Sequence, residues 1–260
     1  MKIFDCFLFF NELELLELRL MTLNKVVDYF VLVEADRTFT GNKKEFLFEK
    51  NKNKYKDYLD KIIHVKVENA PILDKSKNVW AIEHFQRNCI TRGLSEVKDE
   101  DKIIISDVDE IPDPEIVLQV KDTDKPIAFG QYLFYYYVNC FSGRTWNGSI
   151  ITPFKNMSIP QTLRNLARKG ISKIKYSGWH YSYMGGVDRI RSKLDNLVDA
   201  DTVVDRIGTD EDIANKVNTQ KGLWEKKHQY FLIDIMKKNY APKCIKKFLK
   251  KYPDFYFQET

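Results

Sequence analysis

Cysteine and histidine are scarce in this sequence, and neither residue type is clustered. The four cysteines lie far apart, at positions 6, 89, 140 and 244, and no pair forms a Cys-x-x-Cys unit. This spacing argues against a disulfide framework and against a zinc site, and it predicts free thiols in a reducing compartment. The four histidines stand away from the most acidic turn of the chain, which disfavours a metallohydrolase.

Long hydrophobic runs are absent as well. No segment approaches the roughly 20 apolar residues that a transmembrane helix needs. The N-terminal run MKIFDCFLFF is interrupted by Asp5 and is not followed by a small-residue cleavage site, so we do not interpret it as a signal peptide. We therefore expect a soluble cytoplasmic protein, in which the sequons at Asn147 and Asn156 are chance matches.

The chain also lacks a strong charge imbalance. Its net charge is +5, an excess that suits anionic small ligands but is too small to indicate nucleic-acid binding. With 260 residues, of which 43% are hydrophobic, the chain can build a sizeable core. We expect one domain that spans residues 1–260.

Strands and helices alternate through the first 110 residues. The predicted strands are KIFDCFLF, VVDYFVLVEA, DKIIHVKVE and KIIIS, and helices are predicted for NELELLELRLMTL and for Ser76 to about Leu94. The second strand is almost continuously apolar, as in a sheet that is covered on both faces. The alternation predicts an α/β fold with a mostly parallel central sheet flanked by helices, and ligands that bind at the carboxyl ends of the strands.

The second half of the sequence is less regular. Strands are predicted for PIAFGQYLFYYYVN and GSIITPF, a helix for IPQTLRNLARKG, and a strand, a glycine-rich turn and a helix for KYSGWHYSYMGGVDRIRSKLDNL. The C-terminal segment APKCIKKFLKKY predicts a basic amphipathic helix. Such a helix can lie on anionic lipid, although a solvated terminal helix is the more ordinary interpretation.

An acidic turn follows the fourth strand. In ISDVDEIP, Asp107, Asp109 and Glu110 stand close together although like charges repel one another. Asp-x-Asp after a buried strand offers oxygen ligands to Mg²⁺ or Mn²⁺. The simpler alternatives are a solvated acidic loop, or a helix start at Pro112 and Pro114.

His180 and Arg87 are further candidates near this turn. His180 lies among glycines and aromatic residues in GWHYSYMGG, where it is either a third metal ligand or phosphate contact, or a core histidine bonded to a backbone carbonyl. Arg87 is four residues after Glu83, so a surface ion pair is the simplest interpretation. Because its helix precedes the acidic strand, Arg87 can also hold a phosphate or Asp107 itself.

Polar residues follow the other strands of the predicted sheet. Asn11 and Glu12 come after the first strand, Glu34 ends the second, and Asn88 lies beside Arg87. A carboxylate at this edge can accept from a nucleobase N–H or a ribose hydroxyl. For Asn11 the simpler role is capping the first helix, with Glu14 as its partner.

Aromatic residues are dense between positions 132 and 183. Tyrosine and tryptophan beside a polar cleft can stack on sugar faces. Most of these side chains are better explained as sheet core, and we select Trp146 and Trp179 as candidates for acceptor contact.

Taken together, these segments resemble glycosyltransferase family 17. The matching stretches are FDCFLFFNELELLELRL, VVDYFVLVEADRTFTGNKK, DKIIHV, WAIEHFQRN with RGL, ISDVDEIP and GWHYSYMGG, in the order of the family from residue 3 to about 197. The resemblance implies an inverting, metal-dependent transferase with a GT-A-like fold, a UDP-sugar donor, UDP-N-acetylglucosamine in preference, and Mn²⁺ or Mg²⁺. The acceptor would be a glycan or glycolipid.

The resemblance also implies roles for individual residues. Asp107 and Asp109 match its Asp-x-Asp motif and would carry the ribose and metal contacts. His180 matches its Gly-Trp-His histidine, and Glu34, Arg87 and Asn88 match positions near the nucleotide. Residues 1–110 would then be the nucleotide-binding half, 111–200 the acceptor side and 201–260 a helical extension. An inverting route needs a base, for which the candidates are Glu110 and Asp188.

Two other functions remain open from the sequence. A sugar-1-phosphate nucleotidyltransferase also uses metal-bound carboxylates, but it usually needs a glycine-rich loop after the first strand, where this chain has FFNELE. A non-catalytic nucleotide- or glycan-binding protein of the same fold is the other alternative.

Overall fold

The first half of the chain builds the parallel part of one sheet. The computed structural model describes residues 1–68, 80–196, 206–225, 227–237 and 240–258. Four strands, β1 (Ile3–Leu8), β2 (Tyr29–Ala35), β3 (Ile62–Val67) and β4 (Lys102–Asp107), lie in the order β3-β2-β1-β4 and are all parallel. Their carboxyl ends therefore meet at one edge, as the sequence predicts.

Helices connect these strands. Helix α1 (Leu13–Leu23) follows β1, α2 (Leu47–Asn51) and a 3-10 segment (Lys52–Tyr58) follow β2, and α3 (Ala81–Asn88) with a 3-10 segment (Cys89–Gly93) precedes β4. The helix predicted from Ser76 begins at Ala81 among the described residues, and positions 76–79 lie outside them. Its last predicted turn is a 3-10 segment.

The second half adds antiparallel pairings. In chain order its elements are β5 (Glu110–Pro112), α4 (Pro114–Val120), β6 (Ile127–Tyr135), β7 (Cys140–Pro153), α5 (Pro160–Arg168), β8 (Lys173–Ser182), α6 (Val187–Asp195), α7 (Asp210–Asn218), β9 (Phe231–Leu232) and α8 (Ile245–Lys251). The sheet continues from β4 as β7-β6-β8-β5. Strand β7 is antiparallel to β4 and β6, and β5 is antiparallel to β8, whereas β6 and β8 are parallel.

The predicted α/β fold with a helix-flanked central sheet is confirmed, and the parallel order belongs mainly to β1–β4. Pairing direction in the second half depends on contacts between distant segments, which a local pattern does not encode. The segment 201–260 is not purely helical, because β9 pairs with β7. No described helix is long and apolar enough to cross a membrane.

Most of the described core forms two layers, one on each face of the sheet, and a third hydrophobic cluster lies around Tyr136, Ile190 and Ile213. Alternate residues of β1 show this division, since Phe7 packs on the face that α1 and α8 cover, and Cys6 on the face that α5 covers. All four cysteines are free thiols, as predicted. Helix α8 buries Ile245 and Phe248 in the first layer and leaves most of its lysines exposed.

The predicted cap of α1 is wrong. The cap position is Glu12, which makes no side-chain cap bond to the helix. Its Oε2 instead accepts from the backbone N–H groups of Phe10 and Asn11, at 3.3 and 3.1 Å. Glu12 therefore shapes the loop between β1 and α1, and it leaves Asn11 without the capping role.

Gly178 is the residue that lets β5 lie against β8. Its φ is +146°, and a Cβ there would be 2.3 Å from the carbonyl oxygen of Ile111 on β5. The pairing it permits sets Glu110 opposite His180.

We expect Gly178→Ala to lower the free energy of unfolding by about 3 kcal/mol, because strain at positive φ adds to a backbone clash. Gly170→Ala is the matched control, since Gly170 also has positive φ (+84°) but has no atom within 4 Å of the added Cβ. The control should cost about 1 kcal/mol. Urea unfolding of both variants is the measurement, and equal losses would contradict this account of Gly178.

Candidate functional site

A cavity of about 240 Å³ opens at the carboxyl ends of β1, β2 and β4. This is the edge at which the sequence predicts the site. Helices α3, α5 and α6 and strands β7 and β8 contribute the remaining walls. Seven predicted residues line the cavity: Glu12, Arg87, Asp107, Asp109, Glu110, Trp146 and His180.

One buried ion pair holds the backbone of the acidic turn. Arg19 on α1 donates from Nε and Nη2 to the two carboxylate oxygens of Asp5 on β1, at 2.7 and 2.5 Å. Its Nη1 donates to the carbonyl oxygens of Asp107 and Glu110, at 3.0 and 2.7 Å, and its Nη2 also donates to Ser106 Oγ. Both charged side chains are fully buried. The pair thus fixes the turn relative to the sheet.

Asp107 is held by two arginines. Its Oδ1 accepts from Arg87 Nη2 at 2.6 Å, and its Oδ2 accepts from Arg164 Nη2 at 2.8 Å. Burial opposes ionisation, but these two cations outweigh it and lower the pKa of Asp107 to about 2. Arg87 therefore holds Asp107 itself, which was one of its predicted roles. Because both oxygens already serve guanidinium groups, Asp107 does not fit the predicted role of metal ligand.

Glu110 is buried and has donors on both oxygens. Its Oε1 accepts from Trp146 Nε1 and from Arg164 Nη2, and its Oε2 accepts from Arg164 Nη1 at 2.7 Å and from the backbone N–H of Asp107 at 3.0 Å. A Cβ on Gly148 would lie 2.2 Å from atoms of both Arg164 and Glu110, so only glycine fits beside this pair. A carboxylate so fully occupied does not fit the predicted role of general base.

Asp109 has different partners from Asp107. Its Oδ2 accepts from Lys193 Nζ on α6 at 2.8 Å, and His180 Nε2 lies 3.6 Å from the same oxygen. Glu12 Oε1 is 3.6 Å from the same Lys193 ammonium. Burial opposes ionisation of Asp109, but Lys193 and His180 prevail and hold its pKa below its ordinary range.

His180 faces the cavity beside Trp146. Its ring centroid is 5.2 Å from that of Trp146, and its Nδ1 is buried without a hydrogen-bond partner among the described residues. The alternative interpretation as a core histidine bonded to a backbone carbonyl is therefore not what the structure contains. A buried nitrogen without a partner has hydrogen-bonding capacity left for a ligand.

The fit of a divalent metal ion differs between the predicted ligands. Across the described ranges, no three His, Cys, Asp or Glu side chains are grouped to hold an ion. Asp109 and His180 nevertheless lie close enough to share one. Magnesium-type ions are commonly held by one or two protein ligands together with substrate phosphates. Asp109 and His180 therefore fit such an ion as a pair, and Asp107 does not.

Glu34 is not brought to the cavity. It is fully buried, and its carboxylate accepts from the backbone N–H groups of Leu47 and Phe48 at the start of α2 and from Lys44 Nζ at 3.1 Å. His64 Nε2 lies 3.2 Å from the same carboxylate. It anchors the segment after β2, a position that gives its predicted contact with the nucleotide no support.

Four other predicted residues also lie outside the cavity wall. Trp179 packs into the core on the opposite side of β8 from His180, as adjacent strand residues must. Asn88 Oδ1 accepts from the backbone N–H of Gln161 at 3.0 Å and so links α3 to α5. Asp188 is exposed on α6, and Asn11 lies in the loop after β1. Their positions lend no support to the acceptor, nucleotide and base roles expected of them, and those roles stay predictions.

Three important residues were not predicted: Arg19, Arg164 and Lys193. For Arg19 a signal was available, because Asp5 in an otherwise apolar strand demands a buried cationic partner and Arg19 interrupts a leucine-rich helix. Arg164 and Lys193 stand 54 and 84 residues from their carboxylate partners. Their helical segments look ordinary in the sequence.

Comparison with known proteins gives a family for the chain. The model of glycosyltransferase family 17 matches residues 1–253. No match was found among curated proteins.

Similar solved structures include an inositol-1-phosphate CTP transferase from T. maritima, with 14% identity, 70% of this chain and 86% of that chain covered, and a TM-score of 0.36. HddC from Yersinia pseudotuberculosis has 11% identity, with 71% of this chain and 91% of that chain covered, and a TM-score of 0.35. A UDP-glucose pyrophosphorylase complexed with UDP-glucose has 8% identity, coverage of 68% and 91%, and a TM-score of 0.37. Similarities this weak carry no argument about function.

We expect Asp5→Asn to destabilise the protein by about 3–5 kcal/mol, because it leaves the buried Arg19 charge uncompensated. Urea unfolding is the measurement. Glu225→Gln is the matched control, since Glu225 forms a bidentate but solvent-exposed ion pair with Arg144. The control should leave the melting temperature almost unchanged. A loss in Asp5→Asn no larger than in the control would contradict the anchoring role of the pair.

Proposed function

The chain belongs to glycosyltransferase family 17, and we propose that it transfers N-acetylglucosamine from UDP-N-acetylglucosamine to a glycan or glycolipid acceptor with inversion at the sugar carbon. The observation that carries this proposal is the cavity at the carboxyl edge, with Asp109, Lys193 and His180 in its wall. Such edges bind nucleotides in α/β sheets. The sugar and the stereochemistry follow from the family resemblance.

The wall formed by β1, β2 and α3 suits the nucleoside. Phe10, Phe39 and Trp80 line this part of the cavity and offer aromatic faces to a base. Gln86 Nε2 donates to the carbonyl oxygen of Arg37 at 3.0 Å, which ties the β2 loop to α3. The nucleoside would therefore bind between the β2 loop and α3, which this hydrogen bond already connects.

The wall around Asp109 suits the donor diphosphate. Lys193 supplies an ammonium group there, and Asp109 with His180 would hold Mn²⁺ or Mg²⁺. A bound divalent ion would neutralise charge on the departing diphosphate. Asp107 contributes by keeping Arg87 and Arg164 in place rather than by binding the ion. Dependence on the metal stays a prediction.

Glu83 fits the role of general base better than Glu110 or Asp188. It lines the cavity, and one of its oxygens accepts from Arg87 Nη1 at 2.8 Å. Burial raises the pKa of Glu83, and Arg87 offsets this only in part. A raised carboxylate pKa brings a base closer to the pH at which it must take a hydroxyl proton.

Two expectations about the location of the protein stay predictions. Cytoplasmic residence is one, and peripheral membrane contact through α8 is the other. In favour of the second, Lys246, Lys247 and Lys250 are exposed on α8 and could attract anionic headgroups. The apolar side of α8 is buried in the core, so such a contact would be electrostatic. No nucleic acid is expected as a partner.

A donor screen tests the proposed function. We expect UDP-N-acetylglucosamine with Mn²⁺ to raise the melting temperature by several degrees at about 100 times its Kd, more than UDP-glucose or a CDP-sugar does. Asp109→Asn should lose the increment that Mn²⁺ adds. Asp188→Asn is the matched control, because Asp188 is exposed outside the cavity, and it should behave as the wild type. Stabilisation by a CDP-sugar alone would contradict the assigned donor.

We expect Glu83→Gln to lower kcat by roughly 10²–10⁴-fold while UDP affinity stays near that of the wild type, since a base acts on the acceptor. In the wild type kcat/KM should fall as the pH drops through the raised pKa of Glu83, because the protonated carboxyl accepts no proton. This decline should be missing from the residual activity of the variant.

Glu96→Gln, at an exposed glutamate in the loop before β4, is the control for this experiment and should keep full activity. Turnover and equilibrium binding of UDP are the measurements. Full activity in Glu83→Gln would remove Glu83 as the base.

A further inference from the structure

Most cations in the cavity wall are already matched with carboxylates. Among the described residues, six lysines and arginines line it, and four of these form ion pairs: Arg87, Arg164, Lys193 and Lys44. A fifth, Arg37, donates to the carbonyl oxygen of Gly41 in its own loop. The sixth is Arg168, at the end of α5. Within the described ranges it has no carboxylate at ion-pair distance and no acceptor for its N–H groups.

The Arg168 guanidinium nevertheless has a defined position. Its Cζ lies 5.0 Å from the ring centroid of Trp146, in a cation–π contact. That indole is itself held by its Nε1 bond to Glu110. A guanidinium stacked on a fixed ring keeps its N–H edges available for a planar or tetrahedral anion, and little conformational entropy is left to lose on binding.

The position of Arg168 is electrostatically unfavourable when no anion is bound in the cavity. Arg168 lies one helical turn after Arg164, and like charges at that spacing repel. Burial against the cavity wall, and after it the Arg164 cation, lowers the pKa of Arg168. The carboxylates of Asp107 and Glu110 are near but already accept from Arg164. An incoming anion would supply the missing counter-charge.

We propose that Arg168 binds a phosphate group of a substrate in the cavity. This inference rests on the proposed function, which makes the diphosphate of the donor the first source of that group. A phosphate on the acceptor is the second source with the same chemistry. Trp146 then serves as the platform for Arg168, in place of the direct acceptor contact predicted from the sequence.

Binding of UDP and uridine to Arg168→Gln tests the inference, with isothermal titration calorimetry as the readout. We expect UDP to bind about 10–100-fold more weakly than to the wild type, the effect of losing one charged hydrogen-bond donor, while uridine binds equally well. Arg92→Gln is the matched control, because Arg92 is exposed, stacks on Phe85 and lies outside the cavity. If Arg168→Gln does not fold, Arg168→Lys replaces it and should lose part of the affinity.

A second arm separates the two sources of phosphate. If UDP binding is unchanged, inorganic phosphate is added to UDP-saturated protein, and a rise in melting temperature that Arg168→Gln loses would assign the residue to an acceptor phosphate. If neither UDP binding nor the phosphate effect changes, the inference is overturned. Failure of UDP to bind the wild type would instead overturn the proposed function, so the two failures are distinguishable.

Discussion

The buried pair of Asp5 and Arg19 is the interaction on which the site depends. A charge pair without exposure is stable only when its remaining hydrogen-bonding groups are satisfied, and here the surplus donors of Arg19 go to the backbone of the acidic turn. Because the buried Arg19 must satisfy these donors, its bonds to the backbone hold Asp107, Asp109 and Glu110 in a fixed position. A helix, two strands and a turn are joined at one guanidinium group.

Neighbouring cations neutralise much of the negative charge of the acidic turn. Asp107 and Glu110 share Arg164, and Asp109 accepts from Lys193. These pairs relieve the mutual repulsion of the carboxylates without requiring a metal ion to do so. Together with Arg87, which also binds Asp107, they place three cations at the rim of the sheet, where the proposed function puts the diphosphate. The turn therefore organises positive charge as much as it supplies negative charge.

The parallel direction of β1–β4 and the edge at which the cavity opens could be predicted, because apolar strands alternating with amphipathic helices are local signals. The antiparallel pairing of β5 with β8 could not, since it depends on the close approach at Gly178 from a distant segment. Adjacent strand residues face opposite sides, so Trp179 and His180 could not both face the cavity. The burial of Glu34 depends on the path of the loop between β2 and α2, which no local sequence pattern indicates.

The most direct test of the central claim is a crystal structure of the protein with UDP and Mn²⁺. The account predicts the nucleoside between the loops after β1 and β2, the diphosphate beside Asp109 and His180, and Arg19 still bonded to the backbone of the turn. A nucleotide bound elsewhere, with the carboxyl edge around Asp109 unused, would contradict it.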